Sequence, residues 1–336
     1  MDLRLHEDQL MIADTVAAFV RDRVLEQGMH WNEHGGDASG AVREVGELGI
    51  LGLLAPEIAG GAGMGAVELA IALEELAYGD AGLAALVAIH NTGVVAALAG
   101  GPGNDGVGAD VVERLATGQA LGCVLRDGDE AALGAAFADV FVLAGPQTKV
   151  WTSGDGVERK PVAWLGLRSA GPATVATDRD PDAVISDVDV KRVHGLRRVA
   201  AAAIAVGIGK RALEAGVRYT LDRKQFGKPI ARFQALQWMT ADAATELETA
   251  RLLTRRAAWL HDAKRPFADA AARAANLAVR HVRAITDRCL QMHGGYGYTA
   301  DFPVERLYRD AYALHAVSGD LHAVKVDIAT TLAAAV

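Results

Sequence analysis

The chain has 336 residues, is 51% hydrophobic and 5% aromatic, and carries a formal net charge of −8, so it can bury a large core in two or three packed layers or subdomains. Its basic residues are dispersed among acids, which excludes the one-sided positive footprint of a nucleic-acid binder. The strictly apolar run Val199–Gly209, bounded by Arg198 and Lys210, falls short of the roughly 20 residues a spanning helix needs, and no membrane insertion is expected.

The opening stretch "MDLRLHEDQLMIADTVAAFVRDRV" reads as an amphipathic helix with interspersed acids, without the layout of a signal peptide, and predicts a cytoplasmic protein. Residues 1–118 continue as helices broken by turns at "EHGGDASG", "APEIAGGAGMG" and "AGGPGNDGVG", with apolar residues recurring at three- and four-residue spacing. Residues 119–194 change texture. "ALGCVL", "DVFVLAG", "TKVWTS", "PVAWLGL", "ATVATD" and "DAVISDVDV" are short β-branched runs set off by Gly, Asp and Pro, and predict a small β-domain. Residues 195–336 return to helical periodicity in long segments near 196–223, 231–263, 266–293 and 303–334, which predict an antiparallel four-helix bundle. The expected fold is therefore mainly α with a β insert. Cys123 and Cys289 are far apart with no C-x-x-C spacing, so neither a disulfide nor a metal site is expected.

Three stretches carry more than periodicity: "GELGILGLLAPEIAGGAGMG" (46–65), "YTLDRKQFGKPIARFQALQWMTADA" (219–243) and "QMHGGYGYTADFPVERLYRDA" (291–311). Taken singly, an Arg on a helix is a solvated charge and Gly-Gly a turn. The order R-x-x-F-G, Phe-Gln, a long helix, then Q-x-x-G-G-x-G and R-D-A is more specific, and with the domain order it resembles the acyl-CoA dehydrogenase family.

That resemblance implies FAD bound across a subunit interface, with these motifs holding its adenosine diphosphate half. Arg223 suits pyrophosphate oxygens through its planar fork, and Phe226, expected on the same helix-end face, packs on the cofactor. Gln291 bonds through its amide, while Gly294 and Gly295 let backbone N–H groups come close to phosphate. Gln225, Ile230, Phe233 and Leu236 occupy positions that line the flavin in relatives, two of them differing in type from the small hydroxyl residue and imidazole common there.

The resemblance also implies a carboxylate that removes the α-proton of an acyl-CoA while the β-hydrogen leaves as hydride to the flavin. Relatives carry that glutamate at the tenth position from Arg309 inclusive, or at the start of the first bundle helix. Ser318 and Arg197 occupy those positions. The Thr-Glu-Pro-like turn of relatives becomes "CVLRDG", and "KVWTSGDG" reads as a β-turn where a ring-holding strand is expected. The chain thus resembles the shortened subunit of α2β2 acyl-CoA dehydrogenases of actinobacterial steroid side-chain degradation. On that reading a homologous partner supplies the catalytic Glu and most of the acyl-CoA site, and an electron-transfer acceptor reoxidises the flavin. Two alternatives stay open: a self-sufficient enzyme with Asp320 as a relocated base, which a continuing helix would turn away from the Ser318 position, and a flavin-free scaffold.

Overall fold

The computed structural model describes residues 4–34, 38–99, 109–125, 130–145, 147–186 and 188–334. The turns expected at "EHGGDASG", "AGGPGNDGVG" and "CVLRDG" lie in part outside the described residues.

Helix α1 (Glu7–Phe19) runs through a π-helical segment, Val20–Val24, into α2 (Leu25–His34). Ile12, Val16, Val20 and Val24 recur every four residues and are buried, the stripe by which an amphipathic helix joins a core. Helices α3 (Ser39–Glu47), α4 (Ala66–Gly79), α5 (Ala81–Ile89), α6 (Ala96–Leu98) and α7 (Ala109–Ala116) complete the N-terminal unit. Ala81–Leu98 is long and apolar enough to cross a membrane by composition, with mean hydropathy 1.7, but all of it is buried within the protein. His90, Asn91 and Thr92 interrupt its apolar run, and each is satisfied locally. The Gly122 N–H donates to His90 Nδ1 and His90 Nε2–H to the Leu115 carbonyl, both at 3.0 Å. Asn91 Nδ2 donates to Ile50 O at 3.0 Å, and Thr92 Oγ1 to Ala88 O at 2.6 Å. Burial pushes the His90 imidazole down to about 4, so it is a neutral core residue.

The β region is a four-stranded sheet in the order β1 (Gly122–Val124), β2 (Val140–Leu143), β3 (Gln147–Thr152), β6 (Ala183–Ser186), with β1–β2 parallel and the other pairs antiparallel. A separate hairpin joins β4 (Val157–Pro161) to β5 (Ala173–Thr177). Two expectations are corrected. "KVWTSGDG" is strand through Thr152 before it turns, and Trp151 is buried beside Cys123 and Phe141 in a small second core. "PVAWLGL" is not a strand: Pro161 ends β4, Leu167 adopts φ 54°, and the backbone is taken up by the bundle.

Helix α8 (Val190–Asp222) starts ahead of the expected position, at the Asp189 N-cap, whose side chain accepts the Arg192 N–H at 2.9 Å. It is buried on all sides along Val199–Gly209 because α4 and α5 cover one side and α9 (Gln234–Asp262) and α10 (Ala268–His293) the other. The fourth segment is not one helix but three: α11 (Val304–Ala313), α12 (His315–Ser318) and α13 (Leu321–Ala333). Gly319 breaks it at φ 82°, ψ −173°, a conformation that only glycine adopts without strain.

A strap at residues 164–170 joins the three regions. The Leu167 N–H donates to Asp310 Oδ1 at 2.7 Å, and Arg309 Nη1 donates to Leu165 O at 2.8 Å, both toward α11. Ser169 Oγ donates to Asp80 at the start of α5, and Arg168 Nη1 donates to Asn32 O in α2 at 3.2 Å.

Candidate cofactor cleft and the base positions

The end of α8 and the end of α10 converge on one cleft. Arg223 caps α8, its N–H donating to Tyr219 O at 2.9 Å, and leads into a two-residue hairpin, β7 (Lys224–Gln225) with β8 (Lys228–Pro229). The hairpin centre is Phe226 at φ 51° and Gly227 at φ 76°. Both central residues are left-handed, the signature of a type I′ turn. Phe226 is therefore not on a helix-end face, as its spacing suggests. It stands at a hairpin tip, 91% exposed, edge-on to Phe233 at 6.2 Å.

Arg223, Gln225, Ile230, Leu236, Gln291, Gly294 and Gly295 line a single cavity of 600 Å³, a size usual for small-molecule sites. Phe226 and Phe233 are not in its lining. Gly294 (φ 57°) donates its N–H to Gln291 O, so that group is already committed within the chain. An added Cβ at either glycine would meet nothing within 4 Å, so the backbone is open to a ligand. The Arg223 guanidinium is exposed and makes no hydrogen bond or ion pair among the described residues. An open cleft with an uncommitted planar cation, an amide and bare backbone fits the diphosphate half of a dinucleotide.

The positions where a base is expected have a different character. Ser318 ends α12, is buried, and donates to the Gly319 carbonyl at 3.0 Å. Arg197 is half-buried on α8, and its neighbour Arg198 is ion-paired with Asp327 of α13. Asp320 does not follow on a continuing helix. It is the exposed N-cap of α13, its Oδ1 accepting the His322 N–H at 2.9 Å.

Two further cavities were not anticipated from the sequence. One, of 490 Å³, lies against the first and shares Tyr219, Arg223, His293 and Tyr296 with it. The other, of 680 Å³, lies at the far end of the bundle and holds Arg192, Trp259, His261, Lys264 and Arg265. There Asp262 accepts the Ala66 and Val67 N–H groups at 2.7 and 2.9 Å and pairs with His261 at 2.8 Å. Arg192 Nε donates to His261 Nε2 at 3.3 Å. Lys264 and Arg265 have no acidic partner among the described residues, and Arg265 lies 5.7 Å from the Trp259 ring centre. The available signal was the basic pair in the tight "AKRPF" turn, which reads as a solvated turn. Ser318, Arg197 and Asp320 line none of these three cavities.

The comparisons with known proteins agree with this architecture. The family model of the acyl-CoA dehydrogenase N-terminal domain matches residues 6–119, and that of the C-terminal domain residues 190–332. The chain is 33% identical to benzylmalonyl-CoA dehydrogenase of Aromatoleum aromaticum, over 92% of this chain and 94% of that one. It is 28% identical to the probable acyl-CoA dehydrogenase YngJ of Bacillus subtilis, over 99% and 100%. Among solved structures, the glutaryl-coenzyme A dehydrogenase glutaryl-CoA complex superposes with a TM-score of 0.87 at 26% identity, covering 98% of this chain and 96% of that chain. Butyryl-CoA dehydrogenase from Megasphaera elsdenii shares the fold, with a TM-score of 0.90 at 22% identity over 99% and 100%. This chain belongs to the acyl-CoA dehydrogenase family.

Proposed function

We propose that this chain works in the FAD-dependent oxidation of an acyl-CoA thioester as the subunit of a heteromeric dehydrogenase that lacks the base. In this reading it contributes the adenosine diphosphate half of the flavin site to a homologous partner, in an α2β2 assembly. Arg223 and Gln291 hold the pyrophosphate, and the Gly294–Gly295 backbone leaves it room. When bound, FAD supplies the hydride acceptor. The partner supplies the carboxylate and holds most of the acyl-CoA, and an electron-transfer partner reoxidises the complex. The observation that carries the proposal is the contrast between two places. The cleft is open and uncommitted, whereas Ser318 is buried and bonded to its own chain. A serine without an adjacent base cannot take the α-proton.

An exposed aromatic also supports an interface at the cleft: Phe226, at the tip of the hairpin that carries Gln225, is 91% exposed. Among substrates, a steroid side-chain CoA thioester is the first to test. The benzylmalonyl thioester, named for the relative at 33% identity, is the second.

The test is flavin bound per polypeptide, for the chain alone and co-expressed with a glutamate-bearing homologue. Little flavin on the lone chain and about one per pair in the complex is expected. One flavin per lone chain, with turnover, overturns the half-site reading.

A second reading is favoured by the cavity around Lys264 and Arg265. Two cations without an acidic partner among the described residues, Arg265 beside the Trp259 indole, suit the phosphates and adenine of coenzyme A, so on this reading the chain binds acyl-CoA itself. It requires the K264Q/R265Q variant to raise KM for acyl-CoA in a complex with a wild-type partner.

A further inference from the structure

His293 lies beneath the junction of the two ends that form the cofactor cleft. It is the last residue of α10 and 2% exposed, and its Nδ1–H donates to Cys289 O at 2.7 Å, closing the final helical turn. Its ring stacks on Tyr219 with centroids 4.4 Å apart and planes 29° apart, while Phe302 approaches edge-on at 5.1 Å. Tyr219 in turn accepts the Arg223 N–H on its carbonyl. The stack therefore connects the strand-side end of α8, which carries Arg223, to the end of α10, which carries Gln291, Gly294 and Gly295. His293 lines both the 600 Å³ and the 490 Å³ cavity.

We propose that His293 is a positioning residue for the diphosphate cleft. Its ring and its bond to Cys289 keep Gln291 and the glycine turn in register with Arg223. The inference rests on the cofactor reading above. An unsupported helix end frays within its last turn, and that turn carries Gln291. A ring stacked between the two helix ends restricts that freedom.

The imidazole must be neutral to do this. Nε2 is buried with no hydrogen-bond partner among the described residues, so a second proton there would be a donor without an acceptor. Burial pushes His293 below its ordinary value. The charged and titratable groups facing the same two cavities are Arg211, Glu214, Arg218, Tyr219 and Asp222 from α8 and Arg223 at its C-cap. From α10 the Cys289 thiol is pushed up to about 12 by burial and stays neutral. From the turn after α10 only the Tyr296 phenol contributes a titratable group.

The experiment is calorimetric titration of the wild-type chain with ADP, alone and co-purified with its partner, against H293L, H293F and R223Q. H293L, which removes ring and bond, is expected to weaken ADP about tenfold, and H293F, which keeps a ring against Tyr219, by less than about threefold. Between pH 7.5 and 5 the wild-type affinity falls more steeply than that of H293F, because only the wild type gains the unmatched proton. ADP bound by H293L within twofold of wild type, while R223Q loses it, overturns the positioning role and leaves the cleft standing. If H293L does not fold, H293F decides, and a pH slope equal to that of the wild type overturns the role. A wild type that takes up neither ADP nor, in complex, flavin overturns the cofactor reading and this inference together.

Discussion

The Asp80 carboxylate and the Arg306 guanidinium face each other at 3.5 Å, with their side chains 0% and 5% exposed. Asp80 also accepts from Asn32 Nδ2 at 3.0 Å, from the Leu83 N–H at 2.8 Å and from Ser169 Oγ. Arg306 Nη2 donates to Gly79 O at 3.2 Å. Asp310, which accepts the Leu167 N–H, is buried close enough to feel both the Arg306 and the Asp80 charge.

Arg306→Met should therefore destabilise the protein by about 3–5 kcal/mol, because it leaves Asp80 buried without its cation. Denaturant unfolding followed by far-UV and near-UV signals measures this. A loss under about 1 kcal/mol would mean that the neutral donors to Asp80 suffice.

Asp310 gives the stability a specific pH dependence. Burial first, and then the nearby Asp80 charge, push its carboxyl up to about 6, against the opposing pull of Arg306, Arg309 and the Leu167 N–H. The folded state thus holds this proton more tightly than the unfolded chain, where a carboxyl titrates near ~4. The sign follows from linkage: the contribution is full below that unfolded value and is lost as pH rises through about 6, with an upper bound of about 3 kcal/mol. Asp310→Asn keeps an acceptor for Leu167 and should remove this part of the slope between pH 4 and 7. A variant with an unchanged slope would assign it to other groups.

Arg223→Gln should cut flavin retention by the complex at least tenfold, with little change in thermal stability, since the guanidinium has no partner among the described residues. Arg223→Lys should recover only part, because a point charge lacks the two-pronged geometry. Flavin absorbance after desalting reads both.

Asp320 separates the readings of the base. As an N-cap it should be replaceable by Asn at no cost, whereas Asp320→Ala should lose about 1 kcal/mol. If Asp320 were the base, Asn would abolish turnover while leaving stability intact. On the half-site reading D320N turns over as the wild-type complex does.

Much of the arrangement was legible in the residues. Arg223, Gln291 and Gly295 were named by the resemblance to family motifs, and they line one cavity because the bundle brings the ends of its long helices together. The hairpin that lifts Phe226 was harder to see. Its Phe-Gly centre adopts a turn that sequence preference assigns to Asn-Gly, so helical spacing was the natural assumption. Gly319 offered a bend in the last helical segment, but the helix-favouring residues on either side of it made one continuous helix over 303–334 the first reading. Strand β4, "VERKP", was missed because a solvent-facing hairpin carries charges that read as loop. Lys264 and Arg265 were passed over since nothing local distinguishes a cation facing a cavity from one facing water.

The buried stretch Ala81–Leu98 has a consequence for the chain's synthesis. Its cover comes partly from α8, which begins at Val190. At about 5–20 residues per second, roughly 5 to 20 seconds pass between emergence of this stretch and arrival of the helix that closes over it. During that interval the nascent chain presents at the ribosome exit a segment with the hydropathy of a bilayer span, and its fate depends on what meets it first.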